Sequence, residues 1–157
     1  MAALIVTAPG GARLAAMTHP AHGPVGVLIV PGAPQTRAGA HRGFVTLARA
    51  LAAQGHPVLR IDRRGLGDSD GDDPGFHAIG GDLAAAAAAL RATFPAVRRV
   101  IGLGLCDGAA ALALAPDGFD ALVLLNPWLA DGDRMGDLPP AAAIRARYRD
   151  RLLKPRH

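Results

Sequence analysis

The sequence predicts an α/β domain, a mostly parallel sheet with helices on its faces. Short β-branched runs such as Val25 to Val30 (VGVLIV) alternate with segments of helical period, and Gly or Pro separates most of them. At 157 residues, 50% hydrophobic and 19% charged, the chain carries the apolar mass of one core and little room for a second. Its glycines follow no three-residue period and its apolar runs recur throughout, which excludes collagen-like and disordered chains.

Ala3 to Thr7 and Arg13 to Thr18, split by Pro9-Gly10-Gly11, predict two strands and a turn, an opening hairpin. Val25 to Val30 is continuously apolar, as a parallel strand covered on both faces must be, and Pro31-Gly32 stops it. From His41 to Gln54 the residues Phe44, Leu47, Ala48 and Leu51 recur at helical spacing, and Gly55 ends that helix before a strand from Val58 to Ile61. Asp82 is placed to cap a helix from Leu83 to Thr93, closed by Pro95; alanine has the highest helix propensity, so Ala84 to Ala89 is helix and not low complexity. Val100 to Leu103 is the next strand, a short helix runs from the turn at Cys106 to Leu114, and Phe119 to Leu125 is a further buried strand. Repeated strand-helix units of this kind place helices on both faces of the sheet.

Beyond Trp128 the texture changes, dividing the chain into a core over 1–129 and a segment over 130–157. Asp131-Gly132-Asp133 and Pro139-Pro140 mark a loop, and Ala141 to Leu153 predicts a basic amphipathic helix with Ile144, Tyr148 and Leu152 along one face. The formal charge of +4 resides there: residues 1–133 hold 10 Arg and 11 Asp, whereas residues 134–157 hold 7 basic residues and 2 Asp. The body is not basic, so no nucleic-acid partner is expected. The helix is expected to pack as part of a cap, the alternative being an acidic or membrane surface.

The longest apolar stretches fall far short of the roughly 20 residues of a membrane span, so no integral membrane segment is expected. Met1 to Pro9 lacks the basic start of a secretory signal, which points to the cytoplasm. A lone cysteine, Cys106, excludes an internal disulfide and a multi-cysteine zinc site. Asp68 to Asp73 mimics the start of a calcium loop, but its sixth position is Asp73 where glycine is needed and its twelfth is Ile79 where glutamate is needed. Neither a metal nor a cofactor is implied.

The candidate chemistry lies at Gly104-Leu105-Cys106-Asp107-Gly108, between a buried strand and an alanine-rich helix. This is the context of a nucleophile elbow, with Cys106 as nucleophile and Gly104 and Gly108 where strand and helix pass too closely for a β-carbon. An isolated cysteine is ordinarily a small buried hydrophobe, and the flanking glycines are what set this one apart. The helix N-terminus favours a thiolate at Cys106, and the neighbouring Asp107 carboxylate opposes it. Acyl transfer also needs an oxyanion hole, made in this arrangement by the N–H after the nucleophile, that of Asp107, and one from an earlier strand's loop. In Pro31-Gly32-Ala33-Pro34 that second donor is Ala33 or Gly32, because proline has no N–H. A dinucleotide-binding module is the competing class, since Gly102, Gly104 and Gly108 also follow a strand. The following strand, however, ends at Asn126 with no acid for a ribose hydroxyl.

The segments VGVLIVPGAPQTRAGAHRGFVTLARALAAQGHPVLRIDRRGLGDSDG, GLGLCDGAAALAL and LVLLNPW resemble the N-terminal part of an α/β-hydrolase. Within that superfamily they are similar to hydrolase 1 of the exosortase A-associated group, encoded with exosortase and exopolysaccharide loci in bacteria. Asp62-Arg63-Arg64-Gly65-Leu66-Gly67-Asp68-Ser69 matches the turn common to the superfamily, and the PQTRAGAHR loop with GLCDG carries the narrower likeness. The resemblance implies hydrolysis of a small acyl ester or thioester. It also implies an incomplete, C-terminally truncated α/β-hydrolase fold, because the triad order of nucleophile, acid and histidine is not filled. After Cys106 the only histidine is His157, and Asp131 and Asp133 are the acids after the sixth strand. His41 could line the cleft. The chain alone is expected to be slow or inactive, and the non-catalytic alternative is a binding or dimerising remnant that self-associates through the sheet edge left by missing strands.

Overall fold

A computed structural model describes residues 1–128. The basic helix expected over 141–153, the acids Asp131 and Asp133, and His157 lie outside the described residues. Strands β1 (Ala2–Thr7), β2 (Arg13–His19), β3 (Val25–Val30), β4 (Val58–Ile61), β5 (Arg99–Leu105) and β6 (Ala121–Leu125) form one sheet in the order β1-β2-β4-β3-β5-β6. The expected hairpin is present as the antiparallel β1–β2 pair, and β2 is antiparallel to β4. From β4 to β6 every pairing is parallel. The α/β class and the central place of Val25–Val30 are as expected.

Alternation along β3 explains the two layers of core. Leu28 and Val30 face a cluster with Leu59, Ile61, Leu83, Leu90 and Leu112, against α2 (Gly80–Thr93) and α3 (Asp107–Leu114). Val27 and Ile29 face the other way, onto Phe44 and Ala48 of α1 (Gly43–Ala53) with Val58 and Leu103. Leu28 and Ile29 are both fully buried, so β3 is covered on both faces, which is why it reads as an unbroken apolar run.

Two helix starts and the cover of one strand differ from the sequence expectation in ways that bear on the site. The first α-helix begins at Gly43 and not His41, because His41 and Arg42 both take left-handed backbone conformations, φ 49° and 60°, in a short turn before it. Helix α2 starts at Gly80, so Asp82 does not cap it; Asp82 lies in its first turn, buried, and its carboxylate accepts from Arg64 Nε and Nη2 at 3.0 and 2.7 Å. Strand β6, expected to be buried, exposes Val123, Leu124 and Leu125 at 41, 38 and 42%. It stands at the sheet margin, paired to β5 on one side, and no described element covers its outer side.

Candidate active site

Strands β3 and β5 are neighbours, with Val30 opposite Gly104, and the chain leaves their ends toward opposite faces: toward α1 after β3, toward α3 after β5. Open α/β sheets bind ligands at such a junction, where connections diverge beyond the carboxyl ends of the strands. Here that junction brings together Pro31-Gly32-Ala33 and Leu105-Cys106-Asp107.

Cys106 forms the corner between β5 and α3, with φ 56° and ψ −123°, a region L residues avoid. The surrounding backbone holds it there. Cys106 N–H donates to Leu125 O at 2.9 Å, and Cys106 O accepts from Ala109, Ala110 and Trp128 N–H groups, each at 3.1 Å. A β-carbon on Gly104 would meet Ala109 Cα at 2.6 Å, and one on Gly108 would meet Pro31 O at 2.5 Å and Val30 O at 2.7 Å. Both elbow glycines thus stand where helix, turn and strand touch backbone to backbone. Cys106 is half-buried, with a free thiol, and no hydrogen bond reaches its sulfur among the described residues.

The loop after β3 meets the elbow directly. A β-carbon on Gly32 would stand 2.8 Å from Cys106 Cβ, so Gly32 is packed against the cysteine. Ala33 N–H, expected to face an oxyanion, donates to Asp107 Oδ1 at 2.8 Å. The other oxygen, Asp107 Oδ2, accepts from Arg63 Nη1 at 2.6 Å, and Arg63 Nη2 is shared with Asp73 Oδ1 at 3.0 Å. Ala33 and Asp107 are therefore brought together, but through the Asp107 side chain. Arg63 is 1% exposed, and its Nε has no acceptor among the described residues. Sequence reasoning missed Arg63 as the support of this carboxylate; its signal was a second arginine following Asp62.

The Asp62–Ser69 turn is knitted in the same way. Asp62, fully buried, accepts from Asp68 N–H at 3.0 Å, from Arg37 N–H and from Arg37 Nη1. Ser69 Oγ donates to Asp62 O at 2.9 Å and accepts from Ala15 N–H at 2.9 Å. Of the acids that mimicked a calcium loop, Asp68 accepts from Arg37, Asp70 from Arg13 N–H and Asp73 from Arg63, and the described residues contain no cluster of three or more metal-ligating side chains. His41 is exposed and does not line the cleft between β4, the N-terminal end of α1 and the loop after β3. Among the described residues no helix is long and apolar enough to cross a membrane.

The comparisons with known proteins follow the same lines. A model of the alpha/beta hydrolase family matches residues 27–157. In solved structures the chain is similar to the esterase Pf2001 of Pyrococcus furiosus, with TM-score 0.74 and 19% identity over 96% of this chain and 60% of that one. It is similar also to the alpha/beta hydrolase GrgF from Penicillium sp. sh18, with TM-score 0.72 and 23% identity over 95% of this chain and 55% of that one. An alpha/beta hydrolase from Sphaerobacter thermophilus aligns with TM-score 0.63 and 29% identity over 92% of this chain and 53% of that one. The chain thus spans little more than half the length of these structures. A search of curated proteins finds no sequence match.

Proposed function

Because the chain belongs to the alpha/beta hydrolase family, we propose that it carries the nucleophile half of an acyl-hydrolase site, with Cys106 attacking a small ester or thioester. The observation that carries this is the left-handed Cys106 corner, held by backbone on every side between Gly104 and Gly108. A protein pays for such a corner when the side chain must project from it. In the proposed reaction the Cys106 thiolate bonds to the acyl carbon, and the alkoxide or thiolate leaving group departs with the electron pair of the broken bond. Water then cleaves the acyl-cysteine, releasing the acid and restoring the thiol. The N–H groups of Asp107 and Ala33 stabilise the oxyanion, which requires the Asp107 carboxylate to leave Ala33 first.

That occupied amide favours a second reading, a non-catalytic binding remnant, because the carboxylate stands where an oxyanion would. The narrower kinship with exosortase A-associated hydrolases rests on the PQTRAGAHR and GLCDG segments. A core over 1–129, a cap segment beginning at 130, and a cytoplasmic setting belong to the same proposal.

Hydrolysis of short p-nitrophenyl esters and thioesters by wild type and Cys106→Ala tests it. Cys106-dependent acyl release, whether a single acylation burst or turnover, is the expected result; equal rates for the two chains would assign the fold to the non-catalytic reading.

A further inference from the structure

A cleft of about 300 Å³ opens between β4, the N-terminal end of α1 and the loop after β3, apart from Cys106. Its floor follows from strand alternation. Leu59 and Ile61 face the α2 side, so Arg60 faces the α1 side, opposite Met17 of β2. Arg60 is 3% exposed, and no carboxylate lies within ion-pair distance of it among the described residues. Its Nε–H donates to His19 Nε2 at 3.0 Å, and its Nη1 donates to Arg37 O. Nη2 has no acceptor among the described residues and is not one of the fully buried atoms left without a partner, and Arg60 lines the cleft.

The charges around the cleft do not balance. Its two carboxylates, Asp62 and Asp68, are both bound by Arg37, and Asp62 also accepts two backbone N–H groups. Arg42 stands exposed on the rim with no ion-pair partner among the described residues, held by its left-handed turn. Arg49 adds a fourth guanidinium within electrostatic reach of Arg60. Burial, then the charge of Arg37, holds the Arg60 guanidinium below its ordinary range. Asp62 offsets part of this at a distance, but its carboxylate is already bound by Arg37 and by two backbone N–H groups; a buried cation with no direct counter-ion is costly, and a bound anion relieves that cost.

We infer that this cleft is an anion site, taking a phosphate or carboxylate group between Arg60 Nη2 and Arg42. A guanidinium pair of this kind donates charge-assisted hydrogen bonds to planar or tetrahedral oxyanions. The site lies two strand spacings, about 10 Å, to one side of β5. Anion binding there does not require Cys106 to react, and the site gives a role to Arg37 and Arg42 of the PQTRAGAHR segment, which contribute nothing to the acyl-transfer step itself.

Titration of the Cys106→Ala chain with inorganic phosphate and with acetate, against chloride at matched ionic strength, tests the site by calorimetry and by thermal shift. Saturable binding is expected that Arg42→Ala weakens about tenfold, the loss of one charge-assisted hydrogen bond. Arg60→Gln is expected to abolish it, and Arg42→Ala, at an exposed position, carries the test if the core variant does not fold. Phosphate and acetate effects no larger than those of chloride, or undiminished binding in Arg42→Ala, would overturn the inference. A p-nitrophenyl ester with a carboxylate tail then separates the sources. A KM raised by Arg42→Ala for that ester and not for its neutral analogue marks a substrate group; equal KM effects alongside phosphate binding mark a free ion.

Discussion

At Cys106 three short-range facts converge: a left-handed corner, and a glycine on either side placed where a β-carbon would strike backbone. Backbone cannot yield as a flexible side chain can. Gly108→Ala is therefore expected to cost about 1–3 kcal/mol of stability, read from urea midpoints at unchanged m. A loss below a few tenths would mean that α3 can slide and that the corner is not enforced. The spacing Gly104, Cys106, Gly108 was legible in sequence because it is a recurrent strand-turn-helix pattern, although Gly108 is required by its contact with Val30 and Pro31 of the neighbouring strand end. What Asp107 does was not. Its partners Ala33 and Arg63 lie 74 and 44 residues away, and only the fold brings a carboxylate, an amide and a buried guanidinium to one point.

Elements were legible where burial imposes a pattern. The run VGVLIV and the helical spacing of Phe44, Leu47, Ala48 and Leu51 each record two-sided or one-sided cover. Starts of helices were less legible, because tertiary partners override local preference. Asp82 looked like a cap and is instead the ion-pair partner of Arg64, 18 residues earlier in the chain. Arg60, set in an apolar strand, gave no local sign that it would be buried against His19. That pair has a consequence for the hairpin and β4 together. Because Arg60 Nε–H donates to it, His19 Nε2 must be unprotonated, and burial followed by the Arg60 charge lowers the His19 pKa from 6.5 to about 4. The unfolded chain takes up this proton below pH 6.5 and the folded chain does not, so stability is full above 6.5 and declines as pH falls toward 4. The decline reaches about 3 kcal/mol at the acid end. His19→Gln, which can accept from Arg60 without titrating, is expected to flatten the slope between pH 6.5 and 5 in denaturant titrations; an unchanged slope would assign the titration to another group.

Over the whole molecule, one sheet with β3 between β4 and β5 places two diverging loops at one junction, and the family match covers residues 27–157. The mostly parallel class was legible because strand and helix alternate in sequence. The exposure of β6 was not, since Ala121 to Leu125 has the composition of a covered strand and only its place at the margin exposes it. Unpaired strand edges are templates for pairing with another chain, and we propose that this margin does so. Sedimentation is expected to show mass rising with concentration, and Leu124→Lys is expected to suppress the rise; a concentration-independent monomer would show the margin to be covered. The central claim, that Cys106 is a projected nucleophile and not a packed hydrophobe, is tested most directly by its alkylation with iodoacetamide at neutral pH, native chain against chain unfolded in guanidinium. The elbow predicts labelling in the native chain at least as fast as in the unfolded one, because the corner between β5 and α3 projects the Cys106 side chain away from the packed strand and helix. Slower labelling in the native chain than in the unfolded one would contradict it and leave Cys106 a packing residue.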